Sequence, residues 1–141
     1  MPTLPGGHIR GTTQAPQATR DGSTAYAAAM SFSVVKAADV PASDAEHPAS
    51  SPYDRRLSTP LGITRFGLYE VDLPAGATTV PHDHRQDDAE DAYVVVRGSG
   101  WLVVDGVETA LAAGHAAGVT PEPERWFRAG PDGCTLLAVC A

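Results

Sequence analysis

A chain of 141 residues, 43% apolar and 19% charged, is sized for one domain with a modest core. Its net charge of -7 and its lack of a basic stripe argue against a nucleic-acid partner, because an acidic chain repels phosphate. No run approaches the ~20 apolar residues of a membrane-spanning helix, so no membrane partner is expected.

Fourteen glycines and twelve prolines favour turns over long helices. Residues 1–29 are rich in Gly, Pro, Thr, Gln and Ala without a period, and are expected to form a disordered extension. They also lack the apolar stretch of a secretory signal. Met30 opens "MSFSVVKAADV", a natural start for a folded domain over 30–141. Residues 41–56 read as a polar, proline-punctuated connector with room for one helical turn. His8 and His47, in the extension and the connector, receive no role.

From residue 61 onward the chain reads as short strands between turns. In "ITRFGLYEVDL", Tyr69, Val71 and Leu73 share one face and Leu68, Glu70 and Asp72 the other. "PAG" at 74–76 breaks that run, and "ATTVPHDHR" is the next extended piece. In "DAYVVVRG", Asp91, Tyr93 and Val95 share a face. "GWLVVDGVETAL" predicts a hairpin, since Asp105-Gly106 suits a type I′ turn. Gly98 and Gly100 are read as turn residues like Gly106. "AAGHAAGVTP" gives a turn and a short strand, with His115 a solvent-facing turn residue. "ERWFRAGPDGCTLLAVC" predicts two strands around the turn "AGPDG". Closely spaced short strands indicate an all-β antiparallel barrel or sandwich.

The two cysteines, Cys134 and Cys140, fall in one apolar run. On a strand they share a face but lie about 20 Å apart at ~3.3 Å per residue, beyond disulfide reach. They are expected as free, buried thiols, which fits a reducing cytoplasm.

Chemistry concentrates in "PHDHRQDDAED". His82 and His84 stand at i and i+2, so a strand places both imidazoles on one face. A carboxylate on a neighbouring strand completes a two-histidine, one-carboxylate face, which suits a divalent Fe, Mn, Ni, Zn or Cu ion and leaves positions open for substrate. Asp87, Asp88, Glu90 and Asp91 are the candidates. Strand phase favours Asp91, with Glu90 the neighbouring competitor. Tyr93 and Trp126 are candidate pocket residues, each equally suited to core or interface packing. No nucleophile with a paired histidine and no phosphate-binding glycine loop is present.

The order Gly76, five residues, His82-Asp83-His84, six residues, Asp91, six residues, Gly98 resembles the first motif of the cupin family, G(X)5HXH(X)3–4E(X)6G. It departs in a longer gap before the acid and in Asp for Glu. The family's second motif, G(X)5PXG(X)2H(X)3N, is degraded here. Gly114 and Pro121 stand for its glycine and proline, Glu122 or Pro123 for the next glycine, and Arg125 for its histidine; no asparagine follows. The resemblance covers about residues 60–141. It implies a small jelly-roll-type β-barrel, often a homodimer, with a pocket in the barrel mouth.

A guanidinium cannot ligate a metal. Arg125 therefore pairs with Asp91 or Glu90 and leaves no metal, or binds an anionic substrate beside a metal held by His82, His84 and one acid, or points outward while Trp126 turns in. Two functions follow. One is a metal-dependent enzyme on a small, anionic molecule, by oxygenation, isomerisation or cyclisation. The other is a metal-free or weakly metallated barrel that binds a small ligand without catalysis.

Overall fold

A computed structural model describes residues 32–43 and 49–141. The expectations for residues 1–29, Met30, His8 and His47 lie outside the described residues. Among the described residues, no helix is long and apolar enough to cross a membrane.

Six strands follow in chain order: β1 (Asp54–Arg56), β2 (Gly67–Leu73), β3 (Asp91–Val104), β4 (Val107–Ala112), β5 (Ala116–Val119) and β6 (Arg125–Cys140). All pairings are antiparallel, in the order β1-β2-β6-β3-β4, with β5 also on β3. Among the described residues, helical structure is limited to a 3-10 turn at Ala37–Asp39 and one short helix, α1 (Ser58–Leu61). β1 and α1 lie where the sequence shows only polar connector and loop. β1 is a three-residue edge strand too short to show a period, although Pro60 inside α1 and the left-handed Gly62 after it are ordinary helix punctuation.

β6 is the centre of the barrel. Its second half pairs with β2 on one side and β3 on the other, so Leu136 lies between Val71 and Val95, and Ala138 between Tyr69 and Tyr93. These inward rows join Leu73, Leu102, Val119, Phe127, Ala129 and Cys134 in one apolar core. The alternation predicted for Asp91–Val95 is observed in full; in β2 Val71 and Leu73 are buried, while Tyr69 is half-buried like Leu68 and Glu70.

Two strand boundaries differ from the sequence reading. "DAYVVVRG" and "GWLVV" form one strand, and so do the two strands expected around "AGPDG". Bulges carry the chain through. Gly98 pairs with Cys134 and Gly100 with Ala129, so residues 130–133 are looped out of register opposite Ser99. Gly98 and Gly100 are thus inside β3, not in a turn. Gly98 has φ of 76°, and a Cβ there would lie 2.1 Å from the Gly133 carbonyl oxygen. The β3–β4 hairpin forms as predicted, with positive φ at both Asp105 (46°) and Gly106 (79°), as a type I′ turn requires.

Candidate metal centre

The segment carrying the histidines is extended but touches β6 only at intervals. Thr78 pairs with Arg128, and His82 pairs with Arg125 through reciprocal backbone hydrogen bonds of 3.1 and 2.9 Å. His84 N–H donates to the Pro121 carbonyl at 2.9 Å. These bonds hold His82 and His84 on one face, over the inward row of β3. There His82 Nε2 lies 3.5 Å and His84 Nε2 3.3 Å from Asp91 Oδ2. The ligand atoms of His82, His84 and Asp91 all fall within 4.8 Å of one another. Asp91 is buried, and both histidines are half-buried.

The outer nitrogens fix how the rings present themselves. His82 Nδ1–H donates to the Val80 carbonyl at 2.9 Å. His84 Nδ1 contacts both carboxylate oxygens of Asp87, at 2.9 and 3.1 Å, and donates to that group. With Nδ1 carrying the proton, each neutral ring turns a bare Nε2 lone pair toward Asp91. Two lone pairs then face a carboxylate oxygen, an arrangement that repels unless a proton or a cation lies between them. His82 is raised above its usual range, first by its hydrogen bond to Asp91, against the opposing effect of burial. Burial alone would raise Asp91, but bonds from His82 and Tyr93 and the fields of His84 and Arg125 outweigh it and hold the carboxyl low.

A metal ion fits the same donors. At bond lengths of about 2.0–2.1 Å, neighbouring ligand atoms of a tetrahedral site stand roughly 3.3 Å apart. The two edges to Asp91, 3.5 and 3.3 Å, are close to that spacing.

Solved structures with the same architecture carry consistent names. A cupin protein from Bacteroides fragilis superposes with a TM-score of 0.64 at 22% identity, over 79% of this chain and 85% of that one. The chain has the cupin fold. A sugar phosphate isomerase of a cupin superfamily from Silicibacter pomeroyi gives 0.55 at 24% identity, over 62% of this chain and 57% of that one. An RmlC-like cupin from Desulfovibrio desulfuricans gives 0.50 at 23%, over 54% and 71%. No protein-family model matches the sequence, and no curated protein is a significant match.

In this cupin barrel the histidine pair opens onto a cavity of about 340 Å3 in the barrel mouth. Its wall includes Tyr69, Val71, Pro81, Tyr93, Ala138 and Cys140 beside the three candidate ligands. Tyr93, predicted as a pocket residue, donates its hydroxyl to Asp91 Oδ2 at 2.9 Å. Burial, then the Asp91 charge, raises that hydroxyl, so it stays protonated and remains a donor.

Arg125 points inward but does not reach the cavity. It is fully buried behind Asp91, with Nε 3.3 Å from Oδ2. Its terminal nitrogens donate to the carbonyls of Thr120 and Pro121. Nε makes no hydrogen bond, so its attraction to Asp91 is charge to charge. Arg125 thus takes the inward arrangement paired with Asp91.

Trp126 and Glu90 lie away from the cavity wall. Trp126 follows Arg125 on β6 and so faces the other side of the sheet, where the Arg128 guanidinium lies 6.0 Å from its ring. Glu90 is exposed, and its backbone bonds reciprocally to Ala141 at 2.8 and 3.0 Å. Asp87 serves behind His84, and Asp88, at φ of 56°, belongs to the intervening turn. His115 is exposed and accepts a hydrogen bond from Ala112 N–H within its turn.

Proposed function

We propose that this cupin barrel holds a divalent metal ion through His82, His84 and Asp91 and acts on a small molecule bound in the adjoining cavity. The observation that carries this reading is the pair of anchored rings. Both Nδ1 atoms are committed to outer partners, Val80 and Asp87, which leaves both Nε2 atoms converging on one carboxylate oxygen. Three protein ligands on one side leave the cavity side open for substrate, the arrangement of a catalytic rather than a purely structural site. A bound ion would supply Lewis acidity there. Tyr93 orients Asp91 and keeps its second acceptor role fixed, while Tyr69, Val71, Pro81 and Ala138 exclude water from one wall of the cavity. An anionic group of a ligand would meet the ion rather than Arg125, because Arg125 is sealed behind Asp91.

A second reading is a metal-free barrel that binds a small ligand without catalysis. Arg125 favours it, since the guanidinium already neutralises Asp91 and competes with an ion for that carboxylate. The double variant His82→Ala with His84→Ala separates the two. Under the metal reading it loses divalent-ion uptake by titration calorimetry and keeps the wild-type circular dichroism spectrum, since neither ring belongs to the apolar core. Uptake equal to wild type would contradict the site.

A further inference from the structure

The cavity wall sorts ligands by charge. Tyr69, Val71, Pro81, Tyr93 and Ala138 make it largely apolar, and among the described residues no arginine or lysine is part of it. The nearby arginines are engaged elsewhere. Arg125 is sealed behind Asp91. Arg85 lies 3.8 Å from Asp83 and donates to the Glu122 carbonyl at 2.8 Å. Arg56 donates to the Ser58 hydroxyl and stands 6.0 Å from the centre of the Tyr69 ring, off the cavity wall.

One carboxylate on the wall has no part in the proposed metal site and no cation against it among the described residues. Asp54 pairs with Val71 across β1 and β2, so its side chain shares the inward face of Val71 and lines the cavity. The adjacent Arg55 pairs with Glu70 instead. Ser51 fixes the Asp54 carboxylate, its hydroxyl donating to Oδ1 at 2.7 Å and its N–H to Oδ2 at 3.1 Å. Each oxygen keeps a further lone pair for another donor. β2 and β6 run between β1 and β3, so Asp54 and Asp91 face the cavity from different walls.

Resting on the metal reading above, we propose that the cavity selects a compact, largely apolar ligand that meets the ion through one anionic oxygen group and presents a hydroxyl or ammonium donor to Asp54, and that it rejects phosphorylated and other multiply anionic molecules.

Two arguments support this. The first is charge. With both imidazoles neutral, a divalent ion, Asp91, Arg125 and Asp54 together leave one positive charge, and the Asp83–Arg85 pair adds none. One carboxylate or enolate on the ion completes neutrality. A second anionic group would find no cation on the wall and would face Asp54, in a partly buried cavity where like charges repel strongly. Asp87, exposed behind His84, adds to that repulsion. The second argument is size. A cavity of about 340 Å3 lies at the small end of ligand pockets, which run roughly from 300 to 1,000 Å3. That volume suits a single ring or a short chain, whose apolar body the wall removes from water.

The test is NMR titration of the Zn(II)-loaded full chain with three probes that share one ring and one carboxylate: benzoate, para-(aminomethyl)benzoate and terephthalate. Benzoate should bind. The aminomethyl compound should bind roughly threefold or more tighter, through Asp54. Terephthalate should bind roughly threefold or more weaker than benzoate, because its second carboxylate meets Asp54. Asp54→Asn should bring the three affinities together and still take up Zn(II), since Asp54 is not among the converging ligands. Terephthalate bound as tightly as benzoate, a ranking that persists in Asp54→Asn, or a Zn(II)-loaded chain that binds none of the probes would overturn this proposal and leave the metal reading standing. No Zn(II) uptake by the wild type would overturn both. If Asp54→Asn fails to fold, the wild-type ranking of the three probes gives the decision.

Discussion

The two ends of the barrel interior are built from the same strands and held together by different physics. On β6, Arg125 and Phe127 are two residues apart, both inward and both almost wholly buried. Phe127 packs into the apolar cluster with Leu102, Val95 and Leu136. Arg125 faces Asp91. On β3 the same transition runs from Asp91 through Tyr93 to Val95, from charge to amphipathic ring to aliphatic side chain. Tyr93 is the junction, since its ring is in the core and its hydroxyl bonds Asp91. The apolar end gains stability from area removed from water and from close packing, which any well-filled core supplies. The polar end takes groups out of water and repays only part of that cost with pairing.

If that contrast is right, the largest loss of stability comes from the apolar end. Phe127→Ala should cost about 3–5 kcal/mol in denaturant unfolding, as removal of a fully buried ring does. Any folded fraction should still take up metal, since Phe127 belongs to the apolar core and is not on the cavity wall. A folded, metal-incompetent Phe127→Ala would show that the two ends are coupled.

Arg125→Met should cost less in the metal-free protein, about 1–3 kcal/mol, because it removes one partner of the buried Asp91 and leaves the Thr120 and Pro121 carbonyls without their donor. Here the ends part company. A divalent ion can replace the lost charge, so metal should raise the melting temperature of Arg125→Met more than that of the wild type, and should bind it more tightly. Calorimetry and thermal melts with and without Zn(II) read both effects. Equal shifts in the two proteins would mean that Arg125 and the ion do not compete for Asp91.

The smallest effect is in pH, and its sign separates proton from metal. His82 is raised in the metal-free fold by its bond to Asp91. The stability it contributes is fully present below the unfolded value near 6.5 and is lost as pH rises through the folded one. Metal-free stability should therefore decline as pH climbs above about 6.5. Metal affinity should rise over the same window, because the ion needs the neutral ring. Asp91, held low, contributes the opposite dependence at acid pH: stability present above its unfolded value and lost as pH falls through its folded one. Metal affinity that is flat above pH 6.5 would remove His82 from the ligand set.

Much of this contrast is legible in the sequence, because alternation and spacing are local. Val71, Leu73, Tyr93 and Val95 could be assigned inward from period alone, and the i, i+2 histidines placed on one face. Asp91 over Glu90 follows from the same phase. What stays hidden depends on pairing register. Nothing local shows that Cys140 lies across from Asp91, or that Arg125 is paired with His82 and sealed behind the carboxylate. The same limit explains Trp126. Its aromatic character suits a pocket, but one step along β6 turns it to the outer face. Strand ends are hidden where glycines interrupt a run. Gly98 and Gly100 sit in bulges that let β3 and β6 continue, and a bulge and a turn use the same residues.

The central claim is that the polar end of the barrel is a metal centre. Elemental analysis of the purified, untagged chain after chelation and add-back of Fe, Mn, Ni, Zn or Cu tests it most directly. The expected result is close to one equivalent per chain in the wild type and none in the His82→Ala, His84→Ala variant. A wild-type protein that retains no metal after add-back would contradict it and leave the Asp91–Arg125 pair as the finished state of the site.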